Sequence, residues 1–167
     1  MGEIVQVTPL TEPKFVKPIK INYTQRGIHK EWEAVINHDS VSILLWHVEK
    51  KAFVIVKQFR PAILNTNKEN GYTYELCAGI IDKDLTDKEI AREEIIEECG
   101  YDIPLENIQR VTSFYTSVGI SGAKQTLYYA ECDESMKLSE GGGIEEENIE
   151  VIYLYYKDAK NFIYDET

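Results

Sequence analysis

Apolar and polar residues alternate most regularly in the middle of the chain. SVSILLWHV (40–48) and AFVIVKQF (52–59) are rich in β-branched residues and flank the charged turn Glu49-Lys50-Lys51. Two such runs around a short polar turn predict a β-hairpin. IKINYTQ (19–25) and HKEWEAVI (29–36) predict another strand pair about a turn at Gly27, and the preceding residues 1–18, interrupted by Pro9, Pro13 and Pro18, read as an extended arm. YTYELCAGII (72–81) predicts one further strand ending near Gly79. IQRVTSFYTS (108–117) and QTLYYAEC (125–132) predict two strands joined by VGISGAK, and IEVIYLYY (149–156) predicts the last. DAKNFIYDET (158–167) reads as the opening of a helix.

LTDKEIAREEIIEEC (85–99) switches to helical period, with Thr86 or Asp87 able to cap its start and Ile90 and Ile95 turned to the sheet. Many strands with one well-marked central helix predict a mixed α/β domain.

The end of that helix is chemically odd. Glu93, Glu94, Glu97 and Glu98 crowd the turns before Gly100. The C-terminal end of a helix already carries about half a negative charge, so each acid there is unfavourable by roughly 0.3–1 kcal/mol. Glu94 and Glu98 are also a like-charged i, i+4 pair. At about 100° per residue, Glu97 lies about 60° to one side of Glu94 and Glu98 about 40° to the other, so three carboxylates share one face. A solvated acidic face is the ordinary meaning of such a run. Placement against the dipole argues instead for a bound cation, and hard oxygen ligands select Mg2+, with Mn2+ as the alternative.

Composition narrows the function classes. The 167 residues are 43% hydrophobic and 28% charged, which suits one compact globular domain. A net charge of −11 repels nucleic acid and anionic membranes, so no nucleic-acid or membrane partner is expected. An anionic substrate would then need a metal to mediate. No apolar run approaches the ~20 residues of a membrane span. MGEIVQVTPL lacks the pattern of a secretory signal, so none is expected. Cys77, Cys99 and Cys132 are odd in number and widely spaced, which argues against a disulfide framework and suits a reducing cytoplasm. His29, His38 and His47 have no ligand spacing and are assigned no role.

GIIDKDLTDKEIAREEIIEECGY (79–101) resembles the Nudix box, in which glycine, glutamate, arginine and a glutamate cluster recur at fixed spacing. Gly79, Glu94, Ile95, Glu97, Glu98, Gly100 and Tyr101 match it position by position. Leu85 stands where the box has its first glutamate and Glu93 where it has arginine, two positions that form a structural ion pair in the family; Arg92 is a candidate substitute. VKQFRPA, YELCAGIID, SVGISGAKQT and GGGIEEENIEV extend the resemblance to the branch of UDP-sugar and ADP-ribose diphosphatases.

That resemblance implies an α/β/α sandwich with a mixed sheet and N-terminal strands shared across a homodimer. It divides the chain into residues 1–36, an arm and strands for dimerisation, and 37–167, the hydrolase domain. It implies Mg2+-dependent hydrolysis of a nucleoside-diphosphate sugar resembling UDP-glucose, giving a nucleoside monophosphate and a sugar 1-phosphate. ADP-ribose is the rival substrate, and a catalytically dead binding module is the reading from another class. By the same resemblance Glu94, Glu97 and Glu98 with the Ala78 carbonyl would hold metal, with Glu97 also catalytic. Glu145 would be the general base and Glu147 a further ligand, in a glycine-preceded loop suited to closing over substrate. Arg60 would clamp the diphosphate, Lys124 and Gln125 are weaker substrate contacts, and Tyr23 and Trp32 would stack on a nucleobase across the dimer.

Overall fold

The computed structural model describes residues 2–144 and 147–165. Strand β1 (Lys17–Gln25) pairs antiparallel with β2 (Ile28–Ile36) as a separate two-stranded sheet. Arg26 and Gly27 turn the chain, both at positive φ (54° and 76°), the signature of a tight type I′ turn. In this register Ile21, Tyr23, Ile28, Trp32 and Ile36 share one face with Lys17, Gln25 and Lys30. The hairpin touches the rest of the chain through a Val35–Ser121 bridge and a Val35 N–H bond to the Ile120 carbonyl at 2.7 Å.

The main sheet has seven strands: β3 (Ser40–His47), β4 (Ala52–Phe59), β5 (Tyr72–Glu75), β6 (Cys77–Ile80), β7 (Gln109–Tyr115), β8 (Lys124–Cys132) and β9 (Glu150–Tyr155). It is mixed, because β3 and β8 run parallel while the other pairs are antiparallel. β3 and β4 pair only beside their turn, over Leu45–His47 and Ala52–Val54, and then splay apart. The gap is filled by β5 against the half of β4 away from the turn and β6 against the half of β3 away from the turn. Here the sequence expectation needs correction: residues 72–81 are two strands rather than one. The chain must leave one neighbour and join another, and Leu76 is the crossing point.

Helix α1 (Pro61–Asn67), not anticipated from sequence, starts from Arg60 with Pro61 in its first turn, where a missing N–H costs nothing. Helix α2 (Asp87–Glu94) begins at Thr86, which forms a reciprocal capping box with Glu89. Its last turn, Ile95–Cys99, widens into a π-turn that Gly100 ends in the left-handed region. Ile90 and Ile95 are buried with Val41, Ile43, Leu45, Val54 and Val56, so α2 covers one face of the sheet. Helix α3 (Tyr156–Tyr164) lies on the other, where Ala159 and Phe162 line a cavity together with Leu44, Phe53 and Ile55. Among the described residues no helix is long and apolar enough to cross a membrane.

Candidate active site

The C-terminal end of α2 lies against β6, which sets its acids over the backbone of Ala78 and Gly79. Glu98 is buried, and its Oε2 accepts a hydrogen bond from the Ala78 N–H at 3.0 Å. Glu94 lies so close over Gly79 that any Cβ there would collide with its carboxylate. Glu97 is half-buried on the same helix end. Burial first, then the charges of Glu98 and Glu97, push Glu94 up to about 7. Burial likewise pushes Glu98 up to about 7, opposed by the Ala78 N–H and the Cys77 thiol and reinforced by Glu147. Dipole and mutual repulsion were the penalties argued from sequence; loss of water is the larger one. The Cys77 thiol is itself raised by burial, so it stays protonated and donates rather than ligating.

Backbone answers the helix dipole. Gly142 N–H donates to the Glu98 carbonyl at 2.9 Å and Gly143 N–H to the Glu97 carbonyl at 3.0 Å. Gly141, Gly142 and Gly143 all have positive φ, and a Cβ at Gly141 would strike the Glu98 carbonyl. The glycines expected to free a loop for closure therefore anchor it to the end of the helix. Beyond them Glu147 accepts a bond from the Ile144 N–H at 2.9 Å, and its charge reaches Glu94, Glu98 and Arg60. Glu145, the expected base, lies outside the described residues.

Arg60 sits where β4 ends, and its guanidinium grips Glu75 through Nε at 2.8 Å and Nη2 at 2.6 Å. Thr73 also donates to Glu75; the Arg60 bond first, and Thr73 less, hold that carboxyl below its usual range. Arg60 is raised by Glu75 first and, more weakly, by Glu98 and Glu147. The guanidinium is thus held by a partner yet faces the acid cluster.

The two departures from the box have a structural answer. Lys83 Nζ meets Glu93 Oε2 at 2.8 Å, tying the loop before α2 to the helix with the polarity reversed. Arg92, the expected substitute, instead binds Asp102 on the other flank, with Nε at 2.9 Å.

Other expected contacts run elsewhere within one chain. Trp32 Nε1 donates to the Gly119 carbonyl at 2.9 Å, and Tyr23 lies in a surface cleft with His29 and Lys30. The Lys124 ammonium sits 5.1 Å over the Tyr115 ring, and Gln125 Nε2 reaches Ser40 Oγ at 3.2 Å.

Sequence reasoning missed a second grouping, because its members are distant in the chain. His47, Glu49 and Glu134 bring ligand atoms within 4.8 Å of one another. It is internally satisfied: His47 Nδ1 accepts from the Lys50 N–H at 3.3 Å, His47 Nε2 faces Glu134 at 3.3 Å, and the Lys50 ammonium pairs with Glu134. Burial lowers the His47 pKa, which suits a neutral ring.

No family profile matches the chain. It is similar to the uridine diphosphate glucose pyrophosphatase NUDT14 of Bos taurus, 36% identical over 90% of this chain and 81% of that one. The corresponding protein of Mus musculus is 34% identical, over 89% and 79%. A GDP-mannose pyrophosphatase of Cronobacter sakazakii is 32% identical over 94% of this chain and 83% of its own. Their shared extent takes in both the hairpin and the sheet rather than the acidic helix alone.

Proposed function

We propose that this chain, which belongs to the Nudix hydrolase family, hydrolyses the diphosphate of nucleoside-diphosphate sugars to a nucleoside monophosphate and a sugar 1-phosphate. The observation that carries the reading is the pair Glu94 and Glu98, desolvated against β6 with both carboxyls raised to about 7. Two acids held that way are poised to exchange protons for a cation.

Glu94, Glu97 and Glu98, with the Ala78 carbonyl and Glu147, are the donors we assign to a divalent cation. All are oxygens, which favours Mg2+ and then Mn2+. Bound there, such a cation would cancel charge on the diphosphate and lower the pKa of the attacking water. Arg60, oriented by Glu75, offers a flat fork for a phosphate. Glu145 is assigned as the base by its place in the acidic loop, with Glu97 as the further catalytic carboxylate. Lys124 and Gln125 are kept as weaker substrate contacts.

Residues 1–36 are assigned to dimerisation and 37–167 to the hydrolase domain. The exposed apolar side chains of one hairpin face support this: Ile21, Ile28, Trp32 and Ile36 are 42%, 61%, 52% and 53% exposed in the single chain. A second copy would cover that face and bring Tyr23 and Trp32 to a partner's nucleobase. Three unpaired, buried thiols support a reducing cytoplasm.

UDP-glucose is the substrate we favour over ADP-ribose, and the names of the relatives support a sugar nucleotide. The test is release of phosphate by a coupled phosphatase from UDP-glucose, GDP-mannose and ADP-ribose, with Mg2+ and with EDTA. Turnover of none of them in Mg2+ would return the chain to the class of inactive binding modules.

A further inference from the structure

The outer face of the sheet ends in an aromatic cleft that hydrolysis leaves unused. Trp46 and Phe53 pair directly across β3 and β4, on the face away from the buried core. Tyr155, ending β9, and Tyr156, opening α3, complete the walls around about 810 Å3. Trp46 meets Phe53 at 65° and Tyr156 at 90°, so the rings form a corner rather than a closed stack. This cleft is at the turn end of β3, whereas Ala78 pairs with Ser42 nearer the other end, and Arg60 follows the far end of β4.

Lys50, Lys51 and Lys157 line the same space. Lys50 is engaged by Glu134. Among the described residues, Lys51 and Lys157 form no salt bridge, although the chain carries 29 acids against 18 bases. The Lys157 ammonium lies 5.9 Å over the Tyr155 ring, so two cations without a carboxylate partner stand beside aromatic walls, a combination that calls for a flat ring carrying an anion. Concavity of this size, with aromatic walls and three lysines, fits a small-molecule site of ~300–1,000 Å3 better than a flat protein contact.

We propose that this cleft binds a nucleoside monophosphate, its base in the Trp46–Tyr156 corner and its phosphate on Lys51 and Lys157. The site is separate from the acid cluster and would stand even if the hydrolytic reading fell.

The chain has two tryptophans, so Trp32→Phe leaves Trp46 as the only tryptophan, read by excitation at the red edge where tyrosine does not absorb. That variant is titrated in EDTA with the monophosphates of uridine, guanosine and adenosine. A saturable change in Trp46 emission is expected with at least one. Tyr156→Ala, at a side chain 70% exposed, should weaken it about tenfold, as should Lys51→Gln with Lys157→Gln, while Arg60→Ala leaves it unchanged. Thermal melts confirm that each variant folds. Three outcomes overturn the proposal: no saturable change with any of them, a change lost in Arg60→Ala but kept in Tyr156→Ala, or a response to a glutamate–tyrosine copolymer alone.

Discussion

Lys83 and Glu93 join the loop before α2 to the helix itself through a 2.8 Å ion pair, with the cation on the loop and the anion on the helix. Both side chains are over two-fifths exposed, so the pair adds at most about 1 kcal/mol to stability. Its importance lies in position, because Glu94 is the next residue and Lys83 draws its pKa down. Lys83→Glu should lower kcat/KM about tenfold, or ~1.4 kcal/mol. Exchanging the pair, Lys83→Glu with Glu93→Lys, should recover most of that loss in a double-mutant cycle. Additive losses would show that the two residues act separately.

Glu98→Gln should remove most Mg2+-dependent turnover and raise the melting temperature in EDTA. The amide keeps an oxygen for the Ala78 N–H while discarding a desolvated charge. A lower melting temperature would mean that the carboxylate stabilises the metal-free fold, against the metal argument.

Glu94 and Glu98 also fix a sign for pH. Each binds its proton more tightly folded, about 7, than at the ordinary value of 4.5. Their contribution is therefore present below the ordinary value and lost as pH rises toward 7 and beyond. His47, lowered by burial, acts in the opposite sense over part of that range. The comparison is accordingly between wild type and Glu94→Gln, which share His47. In EDTA, the variant's stability advantage should grow from pH 5 to pH 8, measured by urea unfolding. A constant difference would contradict the raised carboxyl.

Trp32→Ala and Ile21→Asp alter the exposed apolar side chains of the hairpin without touching the acid cluster. Wild type should scatter light as a homodimer at micromolar concentration, and Ile21→Asp should shift it to monomer with a fall in kcat/KM. A fully active monomeric wild type would remove residues 1–36 from the site.

For substrate, UDP-glucose should exceed ADP-ribose in kcat/KM under Mg2+, since specificity is that ratio. An about tenfold advantage for ADP-ribose, ~1.4 kcal/mol in the other direction, would move the chain to the other branch. Glu145→Gln should reduce turnover with little change in substrate affinity. Unchanged turnover would shift the base to another acid.

Strands announced themselves in this sequence because β-branched alternation is local, and so did the Thr86 cap and the buried Ile90 and Ile95. The split at Leu76 did not, because it depends on β3 and β4 parting, which only the sheet register decides. Glutamate spacing disclosed which acids gather, but not that desolvation against β6 would dominate their energetics. Arg60 was visible as a cation after a strand; its partner Glu75 lies on a different strand and left no local mark. The three glycines were legible as permissive backbone, though their service as anchor is a tertiary fact.

The bonds from Gly142 and Gly143 to the end of α2 make the length of this loop part of the site. Residues 139–143 fit backbone to backbone, so even one inserted residue there would drag the carboxylates out of place. Ile144 N–H then donates to the Glu147 carboxylate at 2.9 Å and Ile149 N–H returns to the Gly142 carbonyl at 3.1 Å, so the same anchor also sets where Glu147 sits. A change of length here would therefore displace an assigned metal ligand together with the helix end, so a lineage that retunes which sugar it accepts is expected to do so on other segments.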